Sequence, residues 1–133
     1  MFSDYFEAAI LNWFRGTAFP VATGSVYASL HTAATADDGT GAEVAGNAYA
    51  RQALAKAVGT WTAPAVAGVI SNVAAVTFPA ATPATWGTVT HGALWDALTV
   101  GNMVMHGPLG ASKTIGVGDV FQYAIGALTI TVA

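Results

Sequence analysis

Cysteine is absent from this 133-residue chain, which removes disulfide staples, thiolate zinc sites and thiol nucleophiles together. Charge is nearly absent as well. Asp, Glu, Lys and Arg make up 8% of the residues, against about 25% in an ordinary globular domain. The bases are Arg15, Arg51, Lys56 and Lys113, and the acids are Asp4, Glu7, Asp37, Asp38, Glu43, Asp96 and Asp119. With a net charge of −3 there is no basic patch to neutralise phosphates, so no nucleic-acid partner is expected. No uninterrupted apolar run approaches the ~20 residues of a membrane span, so no membrane partner is expected either. The opening "MFSDYFEAAILNWFRG" places two acids ahead of its apolar run and no base near its start, unlike a secretory signal.

What is present instead is apolar: 54% of the residues are hydrophobic. A chain this long can bury a core in one domain. Its exposed faces must be Thr, Ser, Ala and Gly, or else partners cover them. The covered reading makes the chain a component of an assembly.

Residues 1–16 read as an N-terminal amphipathic helix, spanning about 3–15. Phe2, Tyr5, Phe6, Ala9, Ile10, Trp13 and Phe14 recur at helical spacing. Ser3 or Asp4 can cap it, the early acids suit the helix dipole, and Gly16 can end it. Phe2, Tyr5, Phe6, Ile10, Trp13 and Phe14 are therefore the candidate interface residues. The stripe either packs on its own domain or docks on a partner chain.

After Gly16 the period changes to two. Strands are expected at 25–31, 70–78, 88–97, 102–109, 119–125 and 127–133, broken by "FPAATPATWG", "TVGN", "HGPLGAS" and a hairpin turn at "GVGD". Residues 37–47 read as a loop. The alanine-rich stretch 47–58 has local helix propensity between strand neighbours. The fold class is mostly β: a single-domain antiparallel β-sandwich, jelly-roll-like, over residues 17–133 behind the helix. No repeat or heptad run supports a fibre shaft.

No chemistry-bearing site emerges. His31, His91 and His106 stand on different strands without the spacing that pre-aligns zinc ligands, so no metal is expected. His91 and Asp96, five apart on a strand, point to opposite faces, and no G-x-S-x-G elbow supplies a serine. Asp96 and Asp119 read as turn formers rather than paired catalytic carboxylates. "DDGTG" lacks the alternation of a calcium loop, and "GVG" lacks the third glycine and helix of a phosphate cradle. Neither catalytic residues nor cofactors are assigned. In "TWGTVTHGALWDA" (85–97), Trp86, Val89, Ala93, Leu94 and Trp95 read as core and sheet packing.

The order of segments, "AAILNWFRGTAF", "VYASLHTAA", "GNAYARQAL", "SNVAAVTFPAAT", "WGTVTHGALWDA", "GNMVMHGPL" and "GALTITV", resembles a family of small tailed-bacteriophage virion proteins. Members are often named tail fibre proteins, and some relatives resemble capsid cement or decoration proteins. The resemblance implies a β-sandwich-like fold, strand character at 49–55 and no catalytic residues. A compact, charge-poor domain without a shaft suits a cement role. The implied partner is then the major capsid protein, the implied oligomer a trimer, and the implied location the capsid surface after assembly in the host cytoplasm. A tail-fibre or receptor-binding module is the alternative. A carbohydrate-binding domain is a third reading: exposed, coplanar Trp61, Trp86 and Trp95 would favour it, while buried ones would favour cement.

Overall fold

A computed structural model describes residues 1–20, 24–64 and 68–132. Among these are one helix, α1 (Asp4–Phe14), and eight strands. The strands are β1 (Ser25–His31), β2 (Gln52–Ala55), β3 (Val69–Ser71), β4 (Val76–Thr77), β5 (Gly87–Trp95), β6 (Met103–Ile115), β7 (Gln122–Tyr123) and β8 (Thr129–Thr131). The protein is mostly β, with antiparallel sheets. No helix among the described residues is long and apolar enough to cross a membrane.

The ends of α1 follow from local chemistry. Ser3 is the N-cap, and its hydroxyl accepts the Phe6 N–H at 3.3 Å. Gly16, at φ +86°, turns the chain out of the helix and donates its N–H to the Trp13 carbonyl.

The main sheet runs β2-β1-β5-β6. Alternation along β1 sends Val26, Ala28 and Leu30 to the larger core and Tyr27 to a smaller cluster with Ala93, Trp95 and Met103. The larger core is closed by two separate ribbons, β3–β8 and β4–β7. Phe78, Phe121 and Tyr123 meet there, with ring centroids 5.0 to 6.3 Å apart. The sandwich is therefore unequal: a continuous sheet on one side, two short ribbons on the other.

Four expectations change. The strand expected at 70–78 is divided into β3 and β4, which join different ribbons. Asn72 divides it. Its buried side chain donates to the Ala74 and Ala124 carbonyls and accepts the Leu128 N–H, which bends the chain between ribbons. The strand expected at 102–109 continues through "HGPLGAS" to Ile115. Proline is tolerated there because β6 is the edge of its sheet. The segment bulges: Val89 pairs with Lys113 but His91 with Pro108, so residues 109–112 oppose Thr90 alone. The turn at "GVGD" closes no hairpin, since β6 and β7 lie in different sheets. Asp119 instead accepts the Gly116 N–H, and Gly118 donates to the Ala81 carbonyl. Finally, 119–125 and 127–133 retain only short strands, with residue 133 outside the described residues. Residues 52–55 are strand, so pairing with β1 overrides the helix propensity of that stretch.

Candidate interaction surface

The N-terminal arm extends the main sheet. Phe2 bridges Met105, the Met1 ammonium donates to the His106 carbonyl at 2.8 Å, and the His106 N–H returns to the Met1 carbonyl at 2.9 Å. Ser3 is fully buried, and its hydroxyl donates toward the carbonyls of Met103 and Val104. Asp4 donates its N–H to the Asp37 carbonyl, and the Asp37 carboxylate meets His106 Nε2 at 2.7 Å. The start of α1 is thus tied to the edge of the sheet. Its far end is not.

The candidate interface residues divide accordingly. Phe2, Tyr5, Phe6 and Ile10 are half-buried. Trp13 and Phe14 are 55% and 76% exposed, and Leu11, which lies off the expected stripe, is 65% exposed. Phe2 stacks obliquely on Phe6, and Phe6 on Phe19, at centroid distances of 5.0 and 6.0 Å. These rings form one wall of an apolar groove of about 880 Å³. Leu94 and Met105 of the main sheet, Ile70 and Ile130 of the β3–β8 ribbon, and Val58 and Trp61 complete it. The groove exists because the ribbons leave part of the sheet's apolar face uncovered.

The opposite face of the sheet carries a polar hub beside the small cluster of Tyr27, Ala93, Trp95 and Met103. Arg51 makes a two-point ion pair with Glu43, Nε–Oε1 at 2.8 Å and Nη2–Oε2 at 2.7 Å. Its Nη1 donates to the Ala97 and Val100 carbonyls, and its guanidinium lies 3.9 Å from the Trp95 ring centroid. Tyr49 donates to Glu43 and accepts the Leu30 N–H. Burial pushes the Glu43 pKa up, but the hydrogen bonds and charge of Arg51, with the Tyr49 hydroxyl, outweigh it and hold the carboxyl below its usual range. Burial also raises the Tyr49 phenol far above its usual value. Sequence reading missed this hub. Its one signal was a lone arginine in an apolar, alanine-rich segment, directly before β2.

Ser29, His31 and Trp95 form a chain beside it. Trp95 Nε1 donates to Ser29 Oγ at 2.9 Å, and Ser29 Oγ lies 2.8 Å from His31 Nε2. This is a serine–histidine pair, but Ser29 and His31 are 0% and 1% exposed, so no substrate reaches the hydroxyl. Burial, with smaller contributions from Arg51, His91 and His106, lowers the His31 pKa to about 4 despite the nearby Glu43. The register places His31 opposite His91. Among the described residues, no three His, Cys, Asp or Glu side chains stand close enough to hold a metal ion. Asp96 accepts the Asn102 N–H and side-chain amide across a turn, the role expected of it.

Trp86 and Trp95 are buried and Trp61 is half-buried, so the exposed tryptophan platform that would favour the carbohydrate reading does not form. The geometry offers an apolar packing surface and a largely buried polar hub. Over residues 1–131 the sequence matches the family described as Podophage GP4 fiber I protein gp80. The chain belongs to that family. It is therefore a bacteriophage structural protein and a virion component. No curated protein matches the sequence.

Proposed function

We propose that this chain is a non-enzymatic domain of a podophage fibre, joined to the rest of the virion by apolar contacts along α1 and the adjoining groove. The observation that carries the reading is the match to a fibre protein family across 131 of the 133 residues. The fold supports a node rather than a shaft, because its strands pair within one small body and no repeat extends it. The low charge and the exposed Leu11, Trp13 and Phe14 support burial in an assembly.

Immunogold electron microscopy of virions, with antibody against this chain, tests the placement. Label on fibres is expected. Label spread over the head shell would instead support a decoration role on the major capsid protein, as the sequence resemblance implies.

A further inference from the structure

We propose that the 32–43 loop is an acid-opened flap: protonation of His31 lifts it from the main sheet and frees the start of α1, which the loop helps to hold. The loop leaves the end of β1 and crosses the sheet as far as β6. There Asp37 reaches His106 at 2.7 Å, and a Cβ on Gly39 would lie 3.1 Å from the Trp95 ring and 3.4 Å from Met103. At its base the Thr32 N–H donates to the Ala42 carbonyl and the Val44 N–H to the Leu30 carbonyl.

Strand register places every histidine of the chain on the face the loop crosses. His31 stands opposite His91, Ser29 opposite Ala93, and Ala93 opposite His106. His31 is 1% exposed and has no site for a second proton. Ser29 Oγ accepts the Trp95 Nε1–H at 2.9 Å and donates to the Ala93 carbonyl at 3.3 Å. Its remaining lone pair takes the His31 Nε2–H at 2.8 Å. A second proton must therefore enter at Nδ1, which is buried and has no protein partner. The groups that face the ring are Glu43, Arg51, His91 and His106. Glu43 is the only acid among them, and both of its oxygens are engaged by Arg51, one also by Tyr49. Arg51 opposes an imidazolium, and His91 and His106 oppose it further when charged. A buried charge with an orphan N–H is costly, and opening the loop gives it water.

The flap is weakly held from within. The Thr35 hydroxyl is also buried without a protein partner, so opening satisfies a second polar group. Opening also reaches α1. The Asp37 carbonyl accepts the N–H of Asp4, the first residue of the helix, and the Asp37 carboxylate holds His106. Both contacts break when the loop lifts. The device does not depend on where the protein sits on the virion.

The sign follows from burial. The closed form lowers the His31 pKa to about 4, and water in the open form returns it to the ordinary 6.5. The open population therefore rises as pH falls between those values, by up to about 300-fold.

Hydrogen exchange of the full chain, followed by NMR and corrected for intrinsic rates, tests this. The Thr32, Val44 and Asp4 amides should exchange through an opening that low urea does not accelerate, unlike global unfolding. That opening should become at least about tenfold more frequent between about pH 6.5 and 4.5. Amides of the β1–β5 ladder should stay better protected throughout. His31→Asn should abolish the acid response at the three amides, and Thr35→Val should reduce opening at every pH while keeping that response. A loop without acid response overturns the proposal. So does a loop that opens only with the ladder and its urea dependence, or one that keeps its acid response in His31→Asn. Should neither Asn nor Gln fold at position 31, the wild-type pH and urea series decide.

Discussion

The two faces of the main sheet manage scarcity of charge in opposite ways. One face places an arginine and a glutamate inside the fold. Arg51, Glu43 and Tyr49 are joined there by hydrogen bonds, as are Trp95, Ser29 and His31 Nε2, and the two sets meet where Arg51 lies over Trp95. His31 Nδ1 is left without a partner. Gly39 of the 32–43 loop, at φ +86°, packs so closely over Trp95 that a Cβ would lie 3.1 Å from the ring. The other face, beside α1, is apolar and incompletely covered. Polar groups are placed where they fix one arrangement of strands and loops, and apolar groups are left where another surface can bury them. An interior polar hub and an exposed apolar surface are thereby separated across a single sheet.

Breaking the polar face should have the largest effect. Arg51→Ala leaves Glu43 without its counter-charge and removes the donors to Ala97 and Val100, the latter held at φ +56°. A loss of about 3–5 kcal/mol is expected, measured by urea unfolding. Replacing both partners with apolar residues should recover much of it.

Acid should weaken the same face by a smaller amount. The native state holds His31 neutral, with its pKa lowered to about 4, while the unfolded chain protonates near the ordinary histidine value of 6.5. Between those values the unfolded state binds more protons, so stability falls as pH drops through that window and the loss levels off below it. The expected loss is about 2–3 kcal/mol. His31→Asn should flatten the pH dependence of the urea midpoint between about 6.5 and 4. An unchanged slope would assign the effect elsewhere. Glu43, whose pKa is also lowered, adds acid sensitivity of the same sign, but only at pH below its ordinary value of 4.5.

Gly92 probes the apolar side of the sheet where it is already closed. A Cβ there would lie 2.4 Å from the Tyr123 hydroxyl, the end of a rigid buried ring. Gly92→Ala should cost about 1–3 kcal/mol by thermal melting, with Tyr123→Phe in the same chain restoring most of it.

The smallest effect on stability sharpens the contrast. Trp13→Asp, on the projecting end of α1, should leave stability within about 0.5 kcal/mol. Its consequence should appear in incorporation into virions, scored by western blot of purified particles. A melting temperature lowered as far as by Arg51→Ala would make α1 part of the core and remove the division between the two faces.

Much of the fold is legible in the amino-acid sequence. The helix and its Ser3 cap follow from spacing and cap chemistry, and β1 lies at the residues its alternation indicates. The segments that escape do so for identifiable reasons. A buried Asn72 divides an apparently continuous strand, and nothing in "ISNVAAVTF" reveals that its side chain will hold Ala124 and Leu128. Val89 and Leu94, five apart on β5, lie in one core, which strict alternation forbids, and the pairing of β5 with β6 shifts register at both ends of that stretch. The candidate interface is legible as a stripe but not in its division: Phe2, Tyr5 and Phe6 become a groove wall, and Trp13 and Phe14 a projection.

By itself the amino-acid sequence determined the N-terminal helix, the β-rich character of the rest, the alternation along β1 and the shortage of charge, because these depend on the local period and on composition. Tertiary structure alone decided that Glu43 and Arg51 pair with each other, that the second layer breaks into two ribbons, and that a groove opens between Phe6 and Ile130. Each of these joins groups far apart in the chain or depends on which backbone groups remain to be satisfied after the sheet has formed. No local pattern carries that information, since it is set by which strands become neighbours and by the space left between them.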